Sequence, residues 1–399
     1  MPDFRIAYLS YDGLTDPLGQ SQILPYLLGL EAKGFEFVIF SFEKPGAYLE
    51  GRSNIDATLT GKKITWIPLK YHKRPPVLST VLDICFLWRA LKKEHKRKLF
   101  SIVHCRSYIT SLIGMEMKRR KGIKFIFDMR GFWADERVEG GLWNLKKPVF
   151  KIIYNFFKKK EKEFLTKANH IISLTQNAKQ KILSWGLNSG PITVIPTCVD
   201  LDLFDPKKIT KDDQEKLRKK LGIKENDFIL LYLGSLGTWY LYDDMIACFE
   251  KLKKKIPNAK FLFVTSDLDK VEKRPDLIAY TAMRHEVPLC CSLAHIAIFF
   301  YKPTFSRIAT SPTKMGEVLA MGLPVITNEG WGDREMIFKD RTSGYYLWDS
   351  ENQSLPESLF SQKNRFEENR DLAAKLFDLT LGIDKYLCAY RDILNSTKN

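Results

Sequence analysis

The chain has 399 residues, with 63 Lys and Arg against 47 Asp and Glu and a formal net charge of +16. That length predicts two domains with separate cores, and 45% apolar with 28% charged residues is ordinary for a soluble protein. Apolar runs near 18 residues are lacking, which excludes a transmembrane helix, and the seven cysteines, odd in number and without a Cys-x-x-Cys pair, exclude a disulfide framework or structural zinc.

The cysteine pattern implies a reducing compartment. Met1-Pro-Asp-Phe-Arg-Ile6 runs straight into a strand, so no signal peptide is expected. The basic excess predicts a polyanionic partner: nucleic acid, an anionic membrane surface or a phosphorylated substrate. The plainer reading is a basic, solvated surface.

In chain order, residues 6–10 read as a strand and the segment around 23–33 as a helix. Strands follow at 36–41, 64–68, 102–104 and 124–128, with helices around 77–97 and 108–120. Residues 170–174 and 192–196 complete the first half. The charged stretch 198–226 is the expected domain boundary. The pattern then restarts with strands at 228–233, 259–265, 296–301 and 324–327, a helix near 240–255, and a helical end at 366–397. Strands alternating with helices predict parallel sheets with helices on both faces, and such sheets place ligands at the carboxyl ends of their strands.

Five segments carry candidate chemistry. Tyr11-Asp-Gly-Leu-Thr-Asp-Pro-Leu-Gly-Gln-Ser-Gln22 follows the first strand, with Gly13 and Gly19 allowing close turns and Gln20 to Gln22 opening a helix. Phe127-Asp-Met-Arg-Gly-Phe-Trp-Ala-Asp-Glu-Arg137 follows another strand and crowds polar groups around Trp133. Val194-Ile-Pro-Thr-Cys-Val-Asp-Leu-Asp-Leu-Phe204 spans the boundary. Leu233-Gly-Ser-Leu-Gly-Thr-Trp-Tyr240 reads as strand, glycine loop and helix, a place for a diphosphate. Ser311-Pro-Thr-Lys-Met-Gly-Glu-Val-Leu-Ala-Met-Gly-Leu-Pro-Val-Ile326 reads as a helix capped by Ser311, with Pro312 in its first position, ended by Gly322.

The order Glu317, Ala320, Gly322, Pro324, Val325, Ile326 resembles the Glu-x-x-Ala-x-Gly-x-Pro-Val-Ile segment of retaining family-4 glycosyltransferases of GT-B fold. All five segments, in this order, resemble that family over roughly residues 5 to 345. The resemblance implies an α/β fold of two doubly wound, Rossmann-like domains facing a central cleft. Residues 1–198 form the acceptor domain, with a C-terminal helix at about 370–399 packing back on it, and 199–369 form the nucleotide-sugar donor domain.

The resemblance places Glu317 on the donor ribose. In the first loop it carries over Gly19 alone; the other expected donor contacts are Gln20, Gly234, Ser235, Gly237, Thr238 and Thr313. The Arg and Lys that relatives carry in the second glycine loop are replaced here by Ser235 and Trp239-Tyr240. Lys314 is the expected substitute, followed by Arg307 and Lys302. A second family glutamate is missing, its place falling on Ala309 or Arg307. Arg130 stands where relatives often have histidine and, with Asp135, is assigned to the transfer step. Asp12, Gln22, Trp133, Glu136 and Arg137 are the expected acceptor contacts. The bland alternatives are a salt-bridged capping turn around Arg130, and a Glu317 that merely pairs with Lys314 or Thr313 one turn away.

The expected activity is transfer of a hexosyl or N-acetylhexosaminyl group, with retention, from a nucleotide-diphosphate sugar to a glycan or lipid-linked acceptor in cell-surface polysaccharide or glycolipid synthesis. Neither a metal nor a cofactor is expected, and no nucleic acid. The expected location is cytoplasmic, peripheral on the inner face of the membrane. Val149, Ile152, Ile153, Phe156 and Phe157 recur at helical spacing among lysines at 143–162; either they meet anionic lipid or they pack inward while the lysines stay wet. The rival functions are a GT-B sugar-nucleotide epimerase or hydrolase, and a catalytically degenerate binding or scaffold subunit.

Overall fold

The computed structural model describes residues 4–339, 345–348 and 366–395. The chain divides into one unit of Met1–Pro196 with Leu379–Asn399 and a second of Thr197–Asp378. In the first unit the strands are β1 (Arg5–Leu9), β2 (Glu36–Glu43), β3 (Ile64–Lys70), β4 (Ile102–Arg106), β5 (Lys124–Asp128), β6 (His170–Ser173) and β7 (Ile192–Val194). They form one parallel sheet in the order β3-β2-β1-β4-β5-β6-β7. β1, β4 and β5 are buried throughout, or nearly so, because helices cover both faces; their centres are largely apolar, with polar residues at their ends and His104 within β4.

The second unit repeats the plan with β8 (Phe228–Leu233), β9 (Ala259–Val264), β10 (Leu277–Tyr280), β11 (Ile296–Phe299), β12 (Val325–Thr327) and β13 (Tyr345–Leu347). Its parallel sheet runs β10-β9-β8-β11-β12-β13. Strand order reverses beside β1 and β4 in one sheet and beside β8 and β11 in the other. The loops leaving those strands therefore occupy the edge where doubly wound sheets bind ligands. Both sheets are Rossmann-like, as the sequence predicted.

The last helical stretch is two helices, not one. Phe366–Phe377 stays with the second unit: Asn369 Nδ2 donates to Leu323 O at 3.0 Å, and Arg370 Nη1 donates to Phe204 O at 2.6 Å and Ala320 O at 2.8 Å. Asp378 then pairs with Val199 as an isolated bridge, which interrupts the helix. Only Leu379–Asn395 joins the first unit, packing on the helix Leu24–Ala32. Residues 396–399 of the expected helix lie outside the described residues.

Candidate active site

In the first unit the loop after β1 is shaped by a residue the sequence reading missed. The buried Glu43 carboxylate accepts from Leu14 N at 2.8 Å, Thr15 N at 3.2 Å, Thr15 Oγ1 at 2.5 Å and Ser41 Oγ at 2.5 Å. A Cβ on Gly13 would stand 2.6 Å from Glu43 Oε2, and one on Gly19 only 2.1 Å from Gly13 O. The helix here is Pro17–Gln22, so Gly19 lies inside it and is buried beneath the loop rather than presented to a ligand. Gln20 Nε2 holds Thr15 O at 3.1 Å, and Gln22 is buried as well. Gly19 and Gln20 support the loop; Asp12, whose side chain is 48% exposed, lies at its surface.

At the carboxyl ends of β4 and β5 lies a buried polar cluster. Asp128 Oδ2 accepts from Tyr386 OH at 3.1 Å and stands 3.4 Å from His104 Nε2, while His104 Nδ1 meets Tyr390 OH at 2.6 Å. Arg130 Nη1 is 3.9 Å from Asp128 Oδ1. Burial pushes the Asp128 carboxyl up, but the opposing pull of Arg130, His104 and Arg106 holds it below the usual range. His104 is pushed down by burial despite Asp128, so it is neutral near pH 7. Burial carries the Tyr8 hydroxyl up to about 12. His104 lies in the middle of β4 rather than at the strand end that a strand of 102–104 would give it, inside this network and 1% exposed.

Arg130 has φ 57°, a left-handed conformation that non-glycine residues seldom adopt. Asp135 belongs to a different network. It accepts from Tyr154 OH at 2.8 Å and Lys158 Nζ at 2.7 Å, and Lys158 also reaches Glu161 at 2.5 Å. The Tyr108 hydroxyl links the two regions, donating to Glu161 and to Gly131 O. Asp135 thus holds Trp133–Glu139 to Pro148–Lys167, and its contacts are with that helix rather than with Arg130. Trp133 sits among Tyr108, Trp143 and Phe157, with the Arg137 guanidinium 5.1 Å over its ring. Glu136 is half-buried in the same short helix.

In the second unit Glu317 is 0% exposed. Its Oε1 accepts from Arg284 Nη1 at 3.0 Å, and its Oε2 faces Lys314 Nζ at 2.9 Å. The pairing with Lys314 raised as the plain alternative is present. Arg284, in the turn after β10, was not foreseen because nothing local marks it. The helix is Thr313–Ala320, preceded by Pro312 with no side-chain cap. Ser311 does not cap it: Ser311 Oγ accepts from Thr197 N at 3.0 Å, and Ser311 O from Thr197 Oγ1 at 2.6 Å. Gly322 takes the left-handed position after the helix, φ 77°.

The loop after β8 leaves Ser235, Gly237 and Thr238 exposed, with φ 137° at Gly234, 99° at Gly237 and 54° at Thr238. The next helix starts later than expected, at Tyr242, and its first turn carries Asp243 and Asp244. Those carboxylates complement the helix dipole and oppose a phosphate there. A nearby cation, unforeseen, is Lys270: its Nζ donates to Leu236 O at 2.8 Å, pairs with Asp267 Oδ1 at 3.0 Å and stands 4.0 Å from a Cβ built on Gly237. Arg307 stacks 4.1 Å from the Trp239 ring, bringing two separately expected segments together. Lys302 N donates to Trp239 O at 2.9 Å, so β11's exit loop and the glycine loop are stitched. Trp331, in the loop after β12, is buried and donates to Thr327 Oγ1 and Asn328 O, each at 3.0 Å. His295 accepts from Ile229 N at 3.0 Å and stacks on Phe228. Among the described residues no group of three His, Cys, Asp or Glu side chains is placed to hold a metal ion.

Comparison with known proteins places this geometry. Residues 26–203 match the family described as Glycosyltransferase Family 4. The solved glycosyltransferase from Rickettsia africae ESF-5 superposes with a TM-score of 0.69 at 17% identity, covering 99% of each chain. Anabaena Alr3699/HepE in complex with UDP and glucose gives 0.69 at 12% identity, covering 97% of this chain and 99% of that one. The alpha-monoglucosyldiacylglycerol synthase of Acholeplasma laidlawii is 21% identical over 197 residues, 47% of this chain and 46% of its own. The chain thus spans about half the length of the curated relatives it matches. The fold is GT-B.

Proposed function

We propose that this chain is a retaining glycosyltransferase that moves a hexosyl or N-acetylhexosaminyl group from a nucleotide-diphosphate sugar to a glycan or lipid-linked acceptor at an anionic membrane face. The observation that carries the reading is Glu317, a buried carboxylate on Thr313–Ala320 paired to Arg284 and Lys314. A carboxylate there accepts two ribose hydroxyls once its cations turn away, and the released cations are then available to the diphosphate. Ser235, Gly237, Thr238 and Lys270 form a second polar group for the phosphates. Arg130 acts on the charge that builds on the departing diphosphate, so the rate rests on positioning and electrostatics. Retention, the uridine base suggested by Alr3699/HepE and the cytoplasmic location belong to the proposal.

The membrane reading rests on faces of opposite sense. Leu78–Arg97 turns Asp83 inward, 0% exposed and bonded to Tyr11 OH at 2.8 Å, while Leu78, Val81, Leu82 and Phe86 are exposed. Pro148–Lys167 buries Phe157, Phe164 and Leu165, yet exposes Val149, Ile152 and Phe156 beside Lys147, Lys151 and Lys159. Of the two alternatives, inward packing holds for Phe157 but not for Val149, Ile152 and Phe156. Exposed apolar rows flanked by lysines suit an anionic interface. Among the described residues no helix is long and apolar enough to cross a membrane.

One observation favours a binding subunit instead: Glu317 is already neutralised on both oxygens. The deciding experiment is a thermal-shift panel of nucleotide-diphosphate sugars, followed by NMR assignment of the product anomer. Stabilisation without turnover on any acceptor selects the binding subunit. An epimerised or free sugar formed without acceptor selects the epimerase or hydrolase, and no stabilisation by any nucleotide rejects the reading.

A further inference from the structure

Arg106 ends β4 and is 3% exposed. Its Nε and Nη1 are enclosed and make no hydrogen bond. Nε faces Asp12 Oδ2 at 3.5 Å and Nη1 faces Asp128 Oδ2 at 4.0 Å, both too long for one. Buried guanidinium nitrogens are ordinarily satisfied, because each N–H removed from water needs a replacement acceptor. Across the same carboxylate stands Arg130, and Asp128 Oδ1 also lacks a hydrogen bond. β4 and β5 pair in register at Arg106 and Asp128, so both guanidiniums sit at one carboxyl edge, next to the strand-order reversal. The 15-residue helix Ser107–Lys121 begins directly after Arg106, with no side-chain cap on its first amides.

We propose that Arg106, with Arg130 on the other side of Asp128, forms an anion site in the first unit, temporarily filled by the Asp12 carboxylate, and that Arg106 takes the diphosphate or phosphodiester group of the acceptor. Asp12 is the removable partner. Its backbone is anchored through Ser10 Oγ, its side chain is half-exposed, and its contact with Arg106 falls short of a hydrogen bond. With Asp12 turned to solvent, two guanidiniums against Asp128 leave one positive charge. That matches a phosphorus centre bearing a single negative charge, and the guanidinium fork meets two of its oxygens at once. Burial would lower the charge state of Arg106, but Tyr8, Asp128 and Asp12 keep it protonated. Calling the ligand an acceptor rests on the transferase reading; the anion site itself does not.

The test is calorimetric titration of the full chain with inorganic pyrophosphate and with farnesyl diphosphate, each in saturating UDP to fill the donor site. Both are expected to bind, farnesyl diphosphate more tightly. Arg106→Gln should weaken binding by about tenfold or more, and Asp12→Asn should tighten it severalfold by removing the competing charge. Pyrophosphate binding without farnesyl diphosphate binding overturns the acceptor assignment, and loss of all binding once UDP is present assigns the arginines to the donor instead. Affinity unchanged in Arg106→Gln, or unchanged or weaker in Asp12→Asn, overturns the site. Should Arg106→Gln fail to fold, Asp12→Asn decides alone, since its side chain is half in solvent. If UDP itself does not bind, the uridine reading falls, and the titrations without UDP still judge the anion site.

Discussion

Arg284 Nη1 lies 3.0 Å from Glu317 Oε1, joining the turn after β10 to the helix Thr313–Ala320 across 33 residues of sequence. The pair covers the carboxylate proposed to read the ribose. Nucleotide entry must therefore exchange a charged hydrogen bond with Arg284 for bonds to the sugar hydroxyls.

Glu317→Gln keeps the shape of the side chain and removes its charge. Nucleoside diphosphate binding should weaken by about 1.5–3 kcal/mol, the range for a hydrogen bond to a charged group. Arg284→Ala should instead leave nucleoside binding as strong or stronger, because the competitor for Glu317 is gone. Titration with uridine and UDP reads both, and equal losses in the two variants would make the cluster purely structural.

Lys270 and Lys314 divide the phosphate work. Lys270→Ala should weaken UDP binding while uridine is unaffected, because only charge near Gly237 is lost. Lys314→Ala should affect UDP less than expected for a free lysine, since its Nζ is engaged at 2.9 Å by Glu317. Equal losses for UDP and uridine in Lys270→Ala would place that residue in loop support alone.

The parallel sheets, the Gly322 stop and the Val325–Thr327 strand were legible because they depend on local patterns: apolar runs, a left-handed glycine, a proline. Arg106, Arg284, Lys270 and Glu43 were not. Each is an ordinary polar residue whose role comes from partners brought near by the fold, as when Glu43 meets Leu14 across 29 positions. Ser311 misled for the converse reason: its local cap signature was overridden by Thr197, which lies 114 positions away. β10 and β13, at the sheet edges, are apolar but only four and three residues long and partly exposed, too short to stand out as the central strands do.

Sedimentation with vesicles should show binding that rises with anionic lipid fraction and falls with salt, at about 1 kcal/mol per lysine near the surface. Ile152→Glu with Phe156→Glu should abolish it without loss of thermal stability, since both side chains are exposed. Leu82→Glu with Phe86→Glu tests the second helix in the same way. Binding that ignores lipid charge and salt would reject this interface.

Asp128 also sets an acid dependence. Its folded carboxyl is depressed, so its stabilising contribution is complete above the unfolded aspartate value and is lost as pH falls through the folded value. Asp128→Asn should therefore be less stable than wild type near neutral pH, and the gap should narrow as the pH drops below about 4. Urea midpoints across that range check the sign. A gap that widens with acid would show that Asp128 is not the ionised partner of Arg130.

Arg130 follows β5 at the carboxyl edge, and its side chain is 12% exposed beside Asp128. A guanidinium there gains most as negative charge builds on the leaving diphosphate, so it acts on the transition state more than on ground-state binding. Arg130→Lys retains charge without the bidentate fork, and Arg130→Ala loses both. Turnover should fall in the order Arg, Lys, Ala while donor affinity changes much less. The left-handed backbone adds a control: Arg130→Gly relieves the φ of 57° and removes the charge, so it should be at least as stable as Arg130→Ala yet equally slow. Glycine restoring turnover would mean that the turn's conformation, rather than the cation, is what the reaction needs.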